Sequence, residues 1–368
     1  MRIVYVLTSL GMGGAERQVV ALASRMAGRG HTVAFLVLRP PVTEQWPTDL
    51  KVFHLGMRKN PASVLAAMAR GHRFLAEFHP DVVHSHSFHT NIAARLLRIT
   101  LPALPVVSSV HNVYEGGWGR MLAYRLTNRL ARITTTVSQA AADRFVHLKA
   151  VSQEKCIVMP NGIDPDEFLS SAQRREQMRA AMGVEREFVW LTAGRIVPAK
   201  DYPNLLRAFQ RVLALRQDAR LWVAGAGETA EFSRVRFLAG DLGLDQAVRW
   251  LGLRRDMSAL LDAADGFVLG SAWEGMPLSV GEAMAMEKPV VCSDVGGVRQ
   301  MVGEAGILAP SKDPDALAVA MLDVMRVTPE DREALGRAAR ARILRDFSMD
   351  TATSKWETLY RMALGIEQ

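Results

Sequence analysis

Short apolar runs alternate with stretches in which apolar residues recur every three or four positions, over nearly the whole chain. The runs at 2–8, 32–38, 51–55, 81–85, 105–109, 133–137 and 156–159 have the length and β-branched content of buried strands. Between them, stretches such as "GAERQVVALASRMAGRG" and "PASVLAAMARGHRFLAEF" carry a helical period. The scheme resumes with strands predicted at 187–193, 220–225, 247–251, 265–270 and 289–293. Strands alternating with helices predict the α/β class, with doubly wound parallel sheets covered on both faces. The polar stretch "NGIDPDEFLSSAQRREQMRAAMGVERE", with Asn-Gly and Asp-Pro turn signals, interrupts the alternation. It is expected to connect two Rossmann-like domains, 1–168 and 169–349. The final helical pattern, 350–368, has no strand after it and is expected to cross back to the first domain. No repeat of solenoid length is present.

A chain of 368 residues suits two domains, each able to bury a core. No apolar run is long enough to span a bilayer, and Met1 leads straight into a strand pattern, so a cytoplasmic location is expected. Cys156 and Cys292 each lie inside an apolar run and read as buried thiols rather than a disulfide or zinc framework. The net charge of +7 is unevenly placed: residues 1–165 carry 19 Lys and Arg against 9 Asp and Glu, and the remainder 26 against 29. A basic first half suits nucleic acid, an anionic membrane surface or a phosphorylated substrate. No zinc-finger spacing, aromatic ribonucleoprotein motif or Lys/Arg tract accompanies it, which argues against nucleic acid.

Doubly wound sheets bind ligands at the carboxyl ends of their strands, so the loops after strands are the candidates. "TSLGMGGAER" places Gly11, Gly13 and Gly14 before a helix whose amino end attracts anions; the alternative is a turn needed only for packing. "TAGRIVPAKDYP" places Arg195 and Lys200 where a diphosphate could be neutralised, although surface cations are commonly just solvated. "SAWEGMPLSVGEAM" holds Glu274 in a loop and Glu282 a turn into the helix that Pro277 opens. Each carboxylate can accept two hydrogen bonds from a vicinal diol, yet glutamates on helix surfaces are common. "AGAGETA" matches a dinucleotide fingerprint, but the next strand ends in Gly252 and arginines instead of an acid, so Gly225 and Gly227 read as close-approach glycines. His84, His86 and His89 lie at one strand end and His111 at another; the His-x-His spacing could bind zinc but lacks a third ligand of suitable spacing, and His111 is the better candidate for substrate contact.

In order and spacing, "GMGGAE", "VMPNGID", "AGRIVPAKDYPNLLRAF", "AGAGE" and "EGMPLSVGE" resemble the retaining glycosyltransferases of family 4, which have the two-domain GT-B fold. The resemblance covers nearly the entire chain and rests most on Glu274, seven residues, Glu282, together with Arg195 and Lys200. It implies two doubly wound domains facing a cleft, the first for the acceptor and the second for a nucleotide-sugar donor. It further implies transfer of a hexose or N-acetylhexosamine, commonly from UDP, with retention and without a metal or other cofactor. By the same resemblance Arg195 and Lys200 hold the diphosphate, Glu274 the sugar hydroxyls and Glu282 the ribose. The backbone of Gly275, Met276 and Pro277 binds sugar and phosphate, Gly225 adjoins the donor, and Gly13 and Gly14 close on the phosphates. His111 lies beside the sugar, and Glu16, His86 and Asn112 face the acceptor.

Two positions depart from the family pattern: Asp201 stands where a glycine often follows the lysine, and Asn112 where an aspartate often follows the histidine. "DPD" at Asp164–Asp166 matches a metal motif of the other major transferase fold only formally, because it lies in the connection. Acceptors of such enzymes are commonly saccharides or lipid-linked saccharides of cell-surface polymers, which gives the basic half a use. "GWGRMLAYRLTNRLARI" sets Arg120, Arg125, Arg129 and Arg132 among Trp118, Met121, Leu122, Leu126 and Leu130, as a membrane-surface helix or as a core helix with a solvated face. The competing readings are a nucleotide-sugar epimerase or phosphorylase of similar fold, an NAD-dependent oxidoreductase and a non-catalytic binder.

Overall fold

The computed structural model describes residues 1–11, 13–42 and 48–366, so the last two residues of the expected 350–368 segment lie outside the described residues. The chain divides into two compact units, Met1–Gly162 with Met349–Gln368, and Ile163–Ser348.

Unit 1 is built on a seven-stranded parallel sheet: β1 (Arg2–Leu7), β2 (Thr32–Val37), β3 (Lys51–His54), β4 (Val82–His86), β5 (Val106–Val110), β6 (Ile133–Thr136) and β7 (Cys156–Val158). Their order is β3-β2-β1-β4-β5-β6-β7, so the direction of winding reverses between β1 and β4. Strands β1, β2, β4 and β5 are buried almost throughout; β1 and β2 are near-continuous apolar runs, while β4 and β5 bury His84, Ser85, His86, Ser108 and Ser109 towards their carboxyl ends. The helix Met349–Leu364 belongs to this unit: Trp356, Leu359, Tyr360 and Ala363 recur at helical spacing and pack with Ile3, Tyr5, Val19 and Met26.

Unit 2 carries six parallel strands, β8 (Phe188–Ala193), β9 (Ala219–Ala224), β10 (Val248–Gly252), β11 (Gly266–Leu269), β12 (Val290–Ser293) and β13 (Ile307–Ala309), in the order β10-β9-β8-β11-β12-β13. Its reversal lies between β8 and β11. The edge strand β13 escapes the sequence reading because it has three residues and pairs only with β12.

The division falls at Gly162/Ile163 rather than at 168, and the stretch expected to be a connection contains the helix Ala172–Ala181, which is part of unit 2. That helix buries no residue and so gives no apolar signal. Arginines attach it instead: Arg175 donates to the carbonyls of Asp262, Ala263 and Ala264 at 2.8, 3.0 and 2.9 Å, Arg179 to Ala263 at 2.9 Å, and Arg174 pairs with Asp262. These are the unsatisfied carbonyls at the carboxyl end of the helix Met257–Ala263.

Candidate functional site

In each unit the loops that matter flank the reversal of strand order, where two neighbouring strands send their connections to opposite faces and leave a crevice. In unit 2 these are the loops after β8 and β11.

β8 runs out at Gly194, whose φ of 157° disfavours a side chain; a Cβ there would also lie 2.9 Å from Lys200 Cε, which would have to shift. The turn Pro198–Lys200 then delivers Lys200 to the strand end, and its last peptide is held by Asp201 in the left-handed region at φ 43°, ψ 53°. Glycine takes that conformation readily, and aspartate is among the few other residues that tolerate it. Asp201 adds a cap for the helix Tyr202–Leu215, accepting from Asn204 N at 3.3 Å. The departure from the family pattern therefore keeps the backbone shape.

After β11, Ala272 N donates to Ala199 O at 2.9 Å and ties the two loops together. Lys200 Nζ lies 2.6 Å from Glu274 Oε1, and Ser271 Oγ donates to the same oxygen at 2.6 Å. Glu274 and Glu282 are 8% and 6% exposed, which removes the reading of two ordinary surface charges. Buried carboxylates persist only when paired, and for Glu274 the partners are Lys200 and Ser271. Arg195 is exposed and makes no ion pair among the described residues, so its guanidinium is available to an anion. Gly275 O accepts from Gly297 N at 2.9 Å, and Met276 is buried. Pro277 is the residue before the first helical turn of Leu278–Ala285 rather than its first residue, and no side chain caps that end. Gly225 touches β8 itself: a Cβ there would fall 1.9 Å from Gly194 O, so this glycine is required by the backbone. A cavity of about 890 Å³ lies at the opposite end of this sheet, beside Arg175, Arg179, Phe188 and Asp265. Its Arg175 and Arg179 are occupied by the helix-end carbonyls and Asp265, which leaves little there for a ligand.

In unit 1 the candidate residues lie after β1, β4 and β5. Gly13 precedes the helix Gly14–Gly28, and a Cβ on it would meet Glu16 Oε2 at 2.2 Å. The negative group at this helix end is thus the chain's own Glu16, which also contacts Ser9 Oγ at 3.5 Å. That modifies the expectation of an anionic guest at Gly13 and Gly14: a phosphate would require Glu16 to move aside. His111 follows β5 and is partly exposed, with Asn112 beside it accepting from Tyr114 N at 3.4 Å. His86 ends β4, is 3% exposed, and stands behind His111, its Nδ1 3.0 Å from His111 Nε2. His86, expected to face the acceptor, is thus nearly enclosed, with His111 against its Nδ1. His84 is fully buried between Tyr360 OH and Ser109 Oγ, each at 2.7 Å, while His89 is exposed. Desolvation lowers the pKa of His84, His86 and His111, the last to about 4, so their rings are neutral near pH 7. Among the described residues no cluster of three or more His, Cys, Asp or Glu is arranged to hold a metal ion; Asp164 accepts from Asp166 N in a local turn.

Residues 12–167 match the profile of Glycosyltransferase Family 4, and residues 187–326 that of Glycosyl transferases group 1. The chain is 31% identical to D-inositol 3-phosphate glycosyltransferase of Geodermatophilus obscurus, over 89% of this chain and 80% of that one. The chain belongs to glycosyltransferase family 4. This family 4 enzyme is also 27% identical to the Escherichia coli UDP-Gal:alpha-D-GlcNAc-diphosphoundecaprenol alpha-1,3-galactosyltransferase, over 76% of this chain and 75% of that one. Its fold is GT-B: Anabaena Alr3699/HepE, solved with UDP and glucose, superposes with a TM-score of 0.86 at 21% identity over 98% of this chain and 99% of that one. Sucrose-phosphate synthase from Thermosynechococcus elongatus gives 0.86 at 19% identity over the whole of both chains. The enzyme is a hexosyltransferase.

Sequence reasoning passed over four polar residues beside the candidate loops, two in each unit. Ser271 donates to Glu274, and Asn204 Nδ2 donates to the neighbouring Gly270 O at 3.3 Å while its Oδ1 is buried without a partner. Glu115 accepts from Tyr124 OH at 2.6 Å and from His111 N at 3.4 Å, and burial pushes it up to about 7 despite these bonds and the nearby Arg120 and Arg95. Ser87, after His86, has φ 76° and ψ 165°, a region occupied almost only by glycine. Only Glu115 had a local signal, as the one acid in the loop after His111.

Proposed function

We propose that the enzyme transfers a hexose or N-acetylhexosamine from a UDP-sugar to a saccharide or lipid-linked saccharide, with retention of anomeric configuration and without a metal. The observation that carries this is the loop pair after β8 and β11, where Lys200, Glu274 and Ser271 form one buried cluster and Arg195 stands exposed beside it. Two cations supply the charge a departing diphosphate needs, aimed from a fixed scaffold. Glu274, already held by Lys200 and Ser271, keeps one oxygen for the sugar hydroxyls, and buried Glu282 holds the ribose diol. Gly225, Gly275, Met276 and Pro277 shape the donor bed through their backbone. His111, neutral and partly exposed, offers a ring nitrogen to the sugar, and Glu16 and Asn112 face the acceptor. The names of the Escherichia coli relative and of the Anabaena structure support a UDP-linked donor.

A lipid-linked acceptor brings the enzyme to an anionic membrane surface from the cytoplasmic side. No helix among the described residues is long and apolar enough to cross a membrane. On the helix Trp118–Thr127, Met121 and Tyr124 turn into the core, while Trp118 and Leu126 are 79% and 73% exposed beside exposed Arg120, Arg125 and Arg129. That splits the expected apolar face in two and leaves the Trp118 and Leu126 side for lipid.

The test is purified enzyme with a panel of nucleotide sugars. UDP-sugars raise the melting temperature with concentration and NAD does not. UDP release accompanies an axial or equatorial product anomer matching the donor, read by NMR, and persists in EDTA. Stabilisation by NAD alone, or inversion of the anomer, rejects the reading.

A further inference from the structure

Three histidines at the strand ends of unit 1 touch one another, and one of them has an unmatched nitrogen. His86 is stacked on Tyr5 at 5.9 Å and 26°, lies 3.9 Å from the His84 ring and 5.2 Å from the His111 ring. Its Nδ1 meets His111 Nε2 at 3.0 Å, and its Nε2 is buried with no partner. A cavity of about 10 Å³, lined by His86, His111, Ser109 and Thr135, leaves room there for one water at most.

The proton positions in the neighbouring chain of hydroxyls follow from counting donors. Tyr360 OH donates to Tyr5 OH, so it must accept from His84 Nδ1–H. His84 Nε2 is then bare and accepts from Ser109 Oγ, which in turn accepts from Thr135 Oγ1. His84 is thereby fixed with its proton on Nδ1.

For the contact between His86 and His111 two arrangements exist, because each neutral ring has one N–H. If His111 donates, His86 must carry an N–H on Nε2 and bury it unpaired. If His86 donates, only a lone pair is left unmatched. Orphaned buried N–H groups are the rarer of the two in folded proteins. We propose that His86 is a positioning residue for transfer, donating Nδ1–H to His111 Nε2 and so fixing His111 with its own proton on Nδ1. The Nδ1–H of His111 then points away from His86 as a neutral donor to an oxygen of the sugar. This last role rests on the proposed function; the tautomer does not.

The experiment is ¹⁵N ring spectroscopy of the full-length enzyme, with His111 and His84 assigned by substitution. In the wild type both rings show a protonated Nδ1 and a bare Nε2. His86→Phe keeps the stacked ring but has no donor, and His111 turns into its Nε2–H form. His86→Asn places an amide N–H where Nδ1 stood, and His111 regains Nδ1–H. In transfer assays His86→Phe lowers kcat about tenfold with KM for the donor little changed, and His86→Asn restores most of it. A proton on Nε2 of His111 in the wild type, or a tautomer indifferent to His86→Phe, overturns the inference. Should His86→Phe not fold, the wild-type and His86→Asn spectra decide it. Tautomers that move as stated while kcat and KM do not would overturn the role of His86 in transfer and count against His111 at the sugar.

Discussion

Replacing Lys200 by methionine keeps most of the side-chain stem and deletes the charge that faces Glu274. At 2.6 Å the gross attraction between the two is about 6 kcal/mol with an effective dielectric of 20. Desolvation of both groups consumes most of it. The side chains are 17% and 10% exposed, between a surface pair, worth about 0–1 kcal/mol, and a buried one, whose disruption costs about 3–5. Lys200→Met is therefore expected to cost about 2–3 kcal/mol, because Glu274 is left buried with Ser271 alone. In a unit of this size that lowers the melting temperature by about 5–10 °C. Glu274→Gln costs less, about 1 kcal/mol, since Lys200 is the more exposed partner and can reach water. The double variant recovers about 1–2 kcal/mol relative to the sum of the singles. Urea unfolding of the four proteins, followed by tryptophan fluorescence for unit 2, measures this. Calorimetric titration with UDP adds a second reading: Lys200→Met weakens binding about 10- to 150-fold, the loss of one charge-assisted contact, whereas Glu274→Gln does not weaken it. Additive singles, with coupling below about 0.5 kcal/mol, would refute the idea that the two charges hold each other in the unliganded enzyme.

Gly225→Ala places a Cβ 1.9 Å from Gly194 O and should lower both the melting temperature and UDP affinity, because β8 and its loop must separate from β9; retention of both would show that the backbone contact is unimportant. Ser87→Gly relieves a conformation that costs about 1–3 kcal/mol, less about 0.5–1 for glycine's chain entropy, so equilibrium unfolding should show a gain of about 1 kcal/mol. Glu115, raised to about 7 from 4.5, favours its protonated form in the fold, so its contribution is complete below pH 4.5 and is lost as pH rises to 7. Glu115→Gln lacks that loss and should gain on the wild type by at most about 3 kcal/mol between pH 5 and 8, measured by urea unfolding at each pH; a difference independent of pH would contradict the shift. Charge reversal of Arg120, Arg125 and Arg129 should abolish flotation with anionic vesicles and leave binding to neutral ones unchanged.

The alternation of apolar runs and helical stretches carried twelve of the thirteen strands among the described residues within a residue or two, since strands buried on both faces are mostly apolar or β-branched. The candidate loops were legible as strand-end loops too, because Gly-rich turns, paired cations and buried-run ends are local features: Gly194, Lys200 and Glu274 follow strands as the pattern predicts. What escaped depends on contacts distant in sequence. The helix Ala172–Ala181 looks like a linker because its attachment is arginine to carbonyl, a bond with no hydrophobic period. Glu274 could be sorted from a surface glutamate only by its burial against Lys200, 74 residues away. His86 and His111, 25 apart, read as separate candidates until adjacent strands brought a nitrogen of each ring to 3.0 Å of the other. Strand register, a property of the folded sheet, decides which polar groups meet; the sequence determined which groups were there to meet.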